Sequence, residues 1–290
     1  MVGTMPTRDQ QGLRAILAAG AFVQAPGVYD ALSARLARRS RFPVAYASGG
    51  SIVRSFGLPD MGLATLTEMA ERFAQIARAV DIPVIADGDT GFGNELNITR
   101  TVSILEQTGV AAVHFEDQVF PKRCGHDAGV QVIDTPSMVA KLSAAVKARS
   151  KLLIIARTDA LAVEGVAAAV ERARRYEQTG VDMIFVEGLK AARNVEVVGK
   201  ALTTPKVLNC GPPGSPLPLP PKELAELGFR IGIYPADLQC AALHAMQECL
   251  TVLRNDGNSG VLRGRLTSLT DRDDLVDTQL WRALEAGSTP

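Results

Sequence analysis

Two acids and a cysteine set the chemistry that this sequence can do. A short apolar run ends in Glu116 and Asp117; a few residues later Cys124 follows Lys122 and Arg123 and precedes Gly125 and His126. Carboxylates at the end of a strand can anchor a cation. A thiol among positive neighbours can be held as a proton donor or as a thiolate. Other polar residues also close apolar runs: Ser48-Gly49-Gly50, Asp87 and Asp89, Arg157 and Asp159, Glu187, and Asn209. Asp87, Asp89 and Glu116 are hard oxygen ligands with no His or Cys beside them at the strand ends, so they suit Mg²⁺ or Mn²⁺ better than zinc. Magnesium keeps several waters and takes one or two protein carboxylates, so some of these acids would act through water. The plainer alternative is a set of salt bridges to Arg157 across the mouth. Ser48-Gly49-Gly50 offers backbone N–H groups to an anion, Arg157 can bind a carboxylate bidentately, and Asn209 adds a donor. One cation with several anion-binding donors fits a small polyanionic acid.

Strand-like runs at 22–25, 44–48, 84–89, 112–117, 152–158, 183–188, 206–211 and 230–235 must position these groups. Most are continuous apolar segments, as parallel strands buried on both faces require. Between them, 32–39, 66–80, 96–108, 138–149, 166–179, 194–202, 221–227 and 237–254 carry helical periodicity. Strict alternation predicts a (β/α)8 barrel, whose chemistry belongs at the C-terminal ends of the strands. No GxGxxG follows the first strand, which weighs against a dinucleotide-binding fold. The expected organisation is a catalytic barrel over 1–255 and a helical arm over 256–290. Leu275, Leu280, Trp281 and Leu284 of the arm form an apolar face that packs on a neighbouring subunit or back on the same barrel.

The 290 residues include 31 basic and 31 acidic side chains and are 47% hydrophobic. A neutral balance favours neither nucleic acid nor an anionic membrane, and no apolar run approaches a span. Cys124, Cys210, Cys240 and Cys249 show no CxxC pairing and read as free thiols of a cytoplasmic protein. Cys240 and Cys249 read as buried small hydrophobes on an apolar helix, and His114 and His244 as satisfied core histidines. Cys124 fits that description poorly, because it stands in a loop of lid-like length over 118–134.

These residues resemble the isocitrate lyase/phosphoenolpyruvate mutase superfamily over about the first 255 positions. Lys122-Arg123-Cys124-Gly125-His126 is similar to the signature of its lyase branch. Asp87-Gly88-Asp89-Thr90-Gly91-Phe92-Gly93 and Glu116-Asp117 resemble its metal-site motifs, and Tyr46 to Gly50 and Gly57-Leu58-Pro59-Asp60 its first binding segments. The resemblance implies a barrel whose last helix is exchanged between subunits of a homodimer or homotetramer. It implies Mg²⁺-dependent cleavage of a carbon–carbon bond in a 2-hydroxy di- or tricarboxylate, giving a 2-oxo acid and a carboxylate enolate. Tyr46 is then the candidate base for the hydroxyl. Cys124 protonates the enolate carbon, tuned by Lys122, Arg123 and His126. Ser48, Gly49, Gly50, Asp60, Arg157, Asn209, Gly125 and His126 bind substrate, and Glu187 orients Arg157 or the substrate.

Two departures bear on the substrate. Methylisocitrate lyases carry Asn-x-Thr-Glu-Phe-Gly after the seventh strand, where this chain reads Asn209-Cys210-Gly211-Pro212-Pro213-Gly214; Asp127 replaces the basic residue that tends to follow their Cys-Gly-His. Both changes remove groups that serve a tricarboxylate, so a 2-alkylmalate such as 2,3-dimethylmalate is expected. The competing readings are an oxaloacetate hydrolase or decarboxylase, a phosphonopyruvate or phosphoenolpyruvate mutase-type enzyme, and a non-catalytic binding barrel.

Overall fold

The computed structural model describes residues 10–125 and 129–287. Eight parallel strands close in sequence order: β1 (Val23–Val28), β2 (Ala45–Ala47), β3 (Val84–Asp87), β4 (Ala112–Glu116), β5 (Leu153–Thr158), β6 (Met183–Val186), β7 (Lys206–Asn209) and β8 (Phe229–Tyr234), with β8 pairing back onto β1. Helix α1 (Gln10–Ala18) precedes the barrel, and α2 (Ala31–Arg39) follows β1. Two helices follow β2, α3 (Gly49–Ser55) and α4 (Leu66–Ala79). After β3 and β4 come α5 (Glu95–Thr108) and α6 (Thr135–Ala148); after β5, α7 (Ala160–Glu164) and α8 (Val166–Glu177). Strands β6, β7 and β8 lead into α9 (Ala192–Ala201), α10 (Pro221–Glu226) and α11 (Asp237–Asp256), and the chain ends through α12 (Leu269–Leu275) and α13 (Thr278–Glu285).

Local chemistry explains where the helices begin. Asp30, Thr65, Asn94 and Asp134 each accept a hydrogen bond from a backbone N–H in the first turn of α2, α4, α5 and α6. A cap of this kind contributes about 1 kcal/mol. Gly109, at φ 87, ends α5 in the left-handed conformation that glycine adopts without a Cβ penalty.

Alternation along each strand then divides its side chains. Val113 and Phe115, Ile154 and Ala156, and Ile184 and Val186 pack outward against the helices. Ala112, Leu153 and Ile155, Met183 and Phe185, and Val207 belong to the inner cluster. Leu13 of α1 joins that cluster beside Val44 and Ala111, so α1 stoppers the lower end of the barrel. The lower rim is tied by carboxylates. Glu106 accepts the N–H groups of Ser150, Lys151 and Leu152 at 2.8, 2.6 and 2.9 Å, and Glu177 those of Thr203 and Thr204 at 2.9 and 2.7 Å.

Helix α11 differs from the expected core helix, for none of its 20 residues is buried. Cys240 and His244 are exposed and Cys249 half-buried, because α11 packs on the barrel only through its first turn, at Leu238 and Gln239. The arm returns to its own chain. The Arg35 guanidinium of α2 donates to the Leu275 carbonyl at 3.0 Å and pairs with Asp277 at 2.5 Å. Leu280, Trp281 and Leu284 of α13 remain exposed.

Candidate active site

Parity carries the strand interior up to a polar layer. Two positions beyond Ile85 stands Asp87; two beyond Ala112 and Ile155 stand His114 and Arg157; two beyond Phe185 and Val207 stand Glu187 and Asn209. Asp87, His114, Glu116, Arg157 and Glu187 are all buried. The sequence-predicted acids, Arg157, Asn209 and Cys124 therefore meet at one mouth. Tyr46, Ser48, Asp87, Arg157, Asn209 and Cys124 line one cavity of about 520 Å³. A larger hollow of about 970 Å³ lies behind the loop that bears Cys124, lined by Phe92, Phe120, Ile133 and Lys141, and holds none of these acids.

Tyr46, in the middle of β2, gives its hydroxyl to Asp87 Oδ2 at 3.1 Å and meets His114 Nε2 at 2.9 Å. Burial, reinforced by the Asp87 charge, lifts its pKa well above that of a free phenol. Burial also pushes His114 down to about 4, so its imidazole is neutral at pH 7. His114 reads as a core residue in the sequence, yet it shares the inward parity of Glu116, and that signal could have placed it here. Its ring stacks on Tyr46 and meets Phe185 edge-on, with centroids 5.8 and 5.5 Å away. The Arg157 guanidinium lies over the same Phe185 ring at 5.2 Å.

The acids differ in their environments. Asp87 accepts the Gly49 and Asp89 N–H groups at 3.2 Å each. Burial alone would raise its pKa, but the charges around it, Lys122 and Arg157 among them, outweigh burial and hold it low. Asp89 is raised to about 6 by burial, and Glu116 well above the usual carboxylate range for the same reason. Neither Glu116 oxygen receives a hydrogen bond among the described residues, although Arg157 Nη1 stands 3.1 Å from Oε2. Among the described residues no three Asp, Glu, His or Cys side chains converge closely enough to enclose a metal unaided. Magnesium asks for less, since waters and substrate oxygens complete its octahedron. Unsatisfied buried carboxylate oxygens beside the well-anchored Asp87 fit such an ion. Asp89 and Phe92 sit at φ 47 and 60, a backbone strain concentrated in the stretch that presents these acids.

Other expected binding groups are arranged differently from a set of open donors. Ser48 caps α3, and the Gly49 N–H is spent on Asp87. The Asn209 amide is turned onto Glu187, donating to its two oxygens at 3.0 and 3.2 Å. Glu187 stands 3.9 Å from Arg157, whereas Asp159 forks that guanidinium, accepting from Nε at 3.0 Å and Nη2 at 2.9 Å. Asp117 has outward parity and lies below the mouth, accepting the Thr158 and Tyr176 hydroxyls at 2.7 and 2.8 Å. The Lys122 ammonium is buried between Asp60 Oδ1 and Asp89 Oδ1 at 2.5 and 2.7 Å. Cys124 is half-buried at the cavity edge. Burial pushes the Cys210 thiol up to about 12, which leaves it inert. His126 and Asp127 lie outside the described residues. Pro212 and Pro213 reach the cavity wall, where proline offers no N–H.

Residues 13–253 match the family described as phosphoenolpyruvate phosphomutase. The 2-methylisocitrate lyase of Aeropyrum pernix is 40% identical over 264 residues, 91% of this chain and 86% of that one. The 2,3-dimethylmalate lyase of Eubacterium barkeri is 36% identical over 276 residues, 94% and 96% of the two chains. A solved structure of oxaloacetate acetylhydrolase with the inhibitor 3,3-difluorooxalacetate superposes with a TM-score of 0.88 at 33% identity, covering 97% of each chain.

Proposed function

The chain belongs to the phosphoenolpyruvate mutase/isocitrate lyase superfamily and is a carbon–carbon lyase, and on that premise we propose that it cleaves a 2-alkylmalate of the 2,3-dimethylmalate type. The products would be pyruvate, or a related 2-oxo acid, and a short carboxylate. One observation carries this reading: Asp87, Glu187, Arg157 and Cys124 share a cavity of about 520 Å³ whose wall includes Pro212 and Pro213. That wall suits an alkyl substituent better than a third carboxylate.

Tyr46 is the candidate acceptor of the substrate hydroxyl proton. It is a protonated phenol bonded onward to Asp87 and His114, so it would pass its own proton inward as it takes the new one. The electron pair of that O–H bond becomes the new carbonyl, and the pair of the breaking C–C bond passes into the departing carboxylate as an enolate. Cys124 would then donate a proton to the enolate carbon. Arg157 would hold a substrate carboxylate with the N–H bonds that Asp159 leaves free. Ser48, Gly50, Gly125 and Asn209 would complete the binding surface, with His126 added from the loop, and the loop would exclude water while the enolate exists. Mg²⁺ is the proposed cofactor, with Mn²⁺ as a substitute; held by Asp87, and by Asp89 and Glu116 through water, it would lower the pKa of the hydroxyl and stabilise the developing charge.

We also propose a catalytic unit over 1–255, a helical arm over 256–290, and a homodimer or homotetramer. Leu243, Met246, Leu250 and Leu253 form an exposed 3-4-3 stripe along α11, the spacing of a helix face that seeks a partner. Four free cysteines support a cytoplasmic setting.

The test is a coupled assay for 2-oxo acid release from malate, citramalate, alkylmalates, isocitrate, methylisocitrate and oxaloacetate, with and without Mg²⁺. Metal-dependent pyruvate release should be fastest from 2,3-dimethylmalate. Methylisocitrate turned over as fast would sink the substrate proposal, and oxalate formed from oxaloacetate as the main activity would make the chain a hydrolase.

A further inference from the structure

The structure assigns Asp159 a positioning role: it locks the Arg157 guanidinium and forms with it the seat on which the backbone of Gly125, next to Cys124, rests. This rests on the lyase reading of the same site. The sequence presents Asp159 as an ordinary residue after a strand, and its geometry departs from that. Both Asp159 oxygens engage Arg157, through Nε at 3.0 Å and Nη2 at 2.9 Å. A planar fork of this kind fixes the rotation of the guanidinium as well as its position. Glu116 Oε2 stands 3.1 Å from Nη1, so acids flank the guanidinium on two sides.

Asp159 is itself held from below. Its N–H donates to Asp117 Oδ1 at 2.9 Å. Asp117 is fully buried and is fixed by Thr158 and Tyr176, with the Arg172 guanidinium 3.5 Å away. A continuous chain therefore runs from α8, through the end of β4, to the residue after β5 and on to the substrate-facing arginine. Buried polar chains that are satisfied at every member rigidify what they hold.

The second observation comes from the loop. A Cβ added at Gly125 would stand 2.8 Å from Arg157 Nη2, 2.8 Å from Asp159 Oδ1 and 2.9 Å from Glu187 Cγ. The backbone next to Cys124 thus rests directly on the Arg157–Asp159 pair, at a distance that admits only glycine. Rotation of the arginine would unseat the cysteine as well as lose the carboxylate contact. One carboxylate therefore sets both ends of the reaction, the group that binds the acid and the group that protonates carbon.

The experiment uses the full chain with Mg²⁺. Asp159→Asn and Asp159→Glu, assayed below their own melting temperatures because a buried pair is disturbed, should lose about 10²-fold in kcat/KM, the scale of an ångström-level misplacement. Gly125→Ala should lose activity similarly. Arg157→Ala should be partly rescued by free guanidinium, and Arg157→Ala/Asp159→Asn should not. Without any turnover, peptide mapping after iodoacetamide treatment should show Cys124 alkylated severalfold faster in Asp159→Asn and Gly125→Ala than in the wild type. Wild-type kcat/KM in either variant, unchanged Cys124 alkylation, or equal guanidinium rescue with and without Asp159 would overturn the assignment. A wild type that releases no 2-oxo acid would instead refute the lyase reading, and the alkylation rates would still judge Asp159.

Discussion

Lys122 and Asp60 meet at 2.5 Å, with both side chains buried, and so join the cysteine loop to the segment that follows α3. The same ammonium reaches Asp89 at 2.7 Å. Burial would lower the lysine pKa, but Asp89, Glu116, Asp87 and Asp60 outweigh it and hold the amine charged. Lys122→Met leaves those acids facing one another without their cation. Losing one partner of a buried pair costs about 3–5 kcal/mol. Urea unfolding should show a loss of that size in metal-free protein and a smaller one with Mg²⁺ present; equal stability of the two proteins would contradict the arrangement.

Cys124→Ser should keep the fold and lose the lyase reaction. A positioned general acid contributes about 10²–10⁴-fold, and a serine hydroxyl is far too weak an acid to replace the thiol. Steady-state rates should fall by that factor, while oxalate, as a mimic of the 2-oxo acid product, still raises the melting temperature. Retention of more than a tenth of the wild-type rate would remove Cys124 from the mechanism.

Lys206 opens β7 at the lower rim, where its residue is buried and its pKa falls to about 8 through burial, only partly opposed by Glu177. The unfolded lysine titrates near 10.4. Below pH 8 the folded protein carries a buried ammonium and the full penalty. Between pH 8 and about 10.4 the unfolded chain binds more protons, so stability rises with pH through that window. Lys206→Met should stabilise the protein by about 1–2 kcal/mol at pH 7, after allowance for partial screening, and the gain should shrink towards pH 10. Thermal melts at several pH values read this directly; a destabilised variant at pH 7 would reverse the sign.

Met246→Glu and Leu250→Glu place charges on the exposed stripe of α11, a helix that buries none of its residues in its own chain. Light scattering after gel filtration should show the assembly reduced to single chains. An unchanged mass would mean that α11 is not an interface.

The barrel was legible because continuous apolar runs such as Leu153 to Ile155 and capped amphipathic helices recur in order. Short elements were not. Ser48-Gly49-Gly50 reads as an open anion cradle and not as a helix, since glycine is a poor helix former, yet tertiary contact with Asp87 holds it as the start of α3. Strand β1 runs on through Pro26 and Gly27, which look like breakers. Gly27 is required there because a Cβ would stand 2.4 Å from the Pro235 carbonyl oxygen. The acids and Arg157 were found by residue type and strand position. His114 and the Asp159 fork were missed because a single polar residue does not announce its partner, although inward parity pointed to the first.

Glu106 and Glu177, far from the chemistry, bear on what this scaffold can become. Each gathers the N–H groups of a connecting segment at the closed end of the barrel, and neither touches the residues of the mouth. Strand order and spacing are thereby secured at one end while the other stays open to revision. The Pro212–Pro213 segment can be exchanged for one rich in hydrogen-bond donors without disturbing those anchors. The loop after β7 is therefore the segment whose exchange leaves the lower-rim anchors untouched.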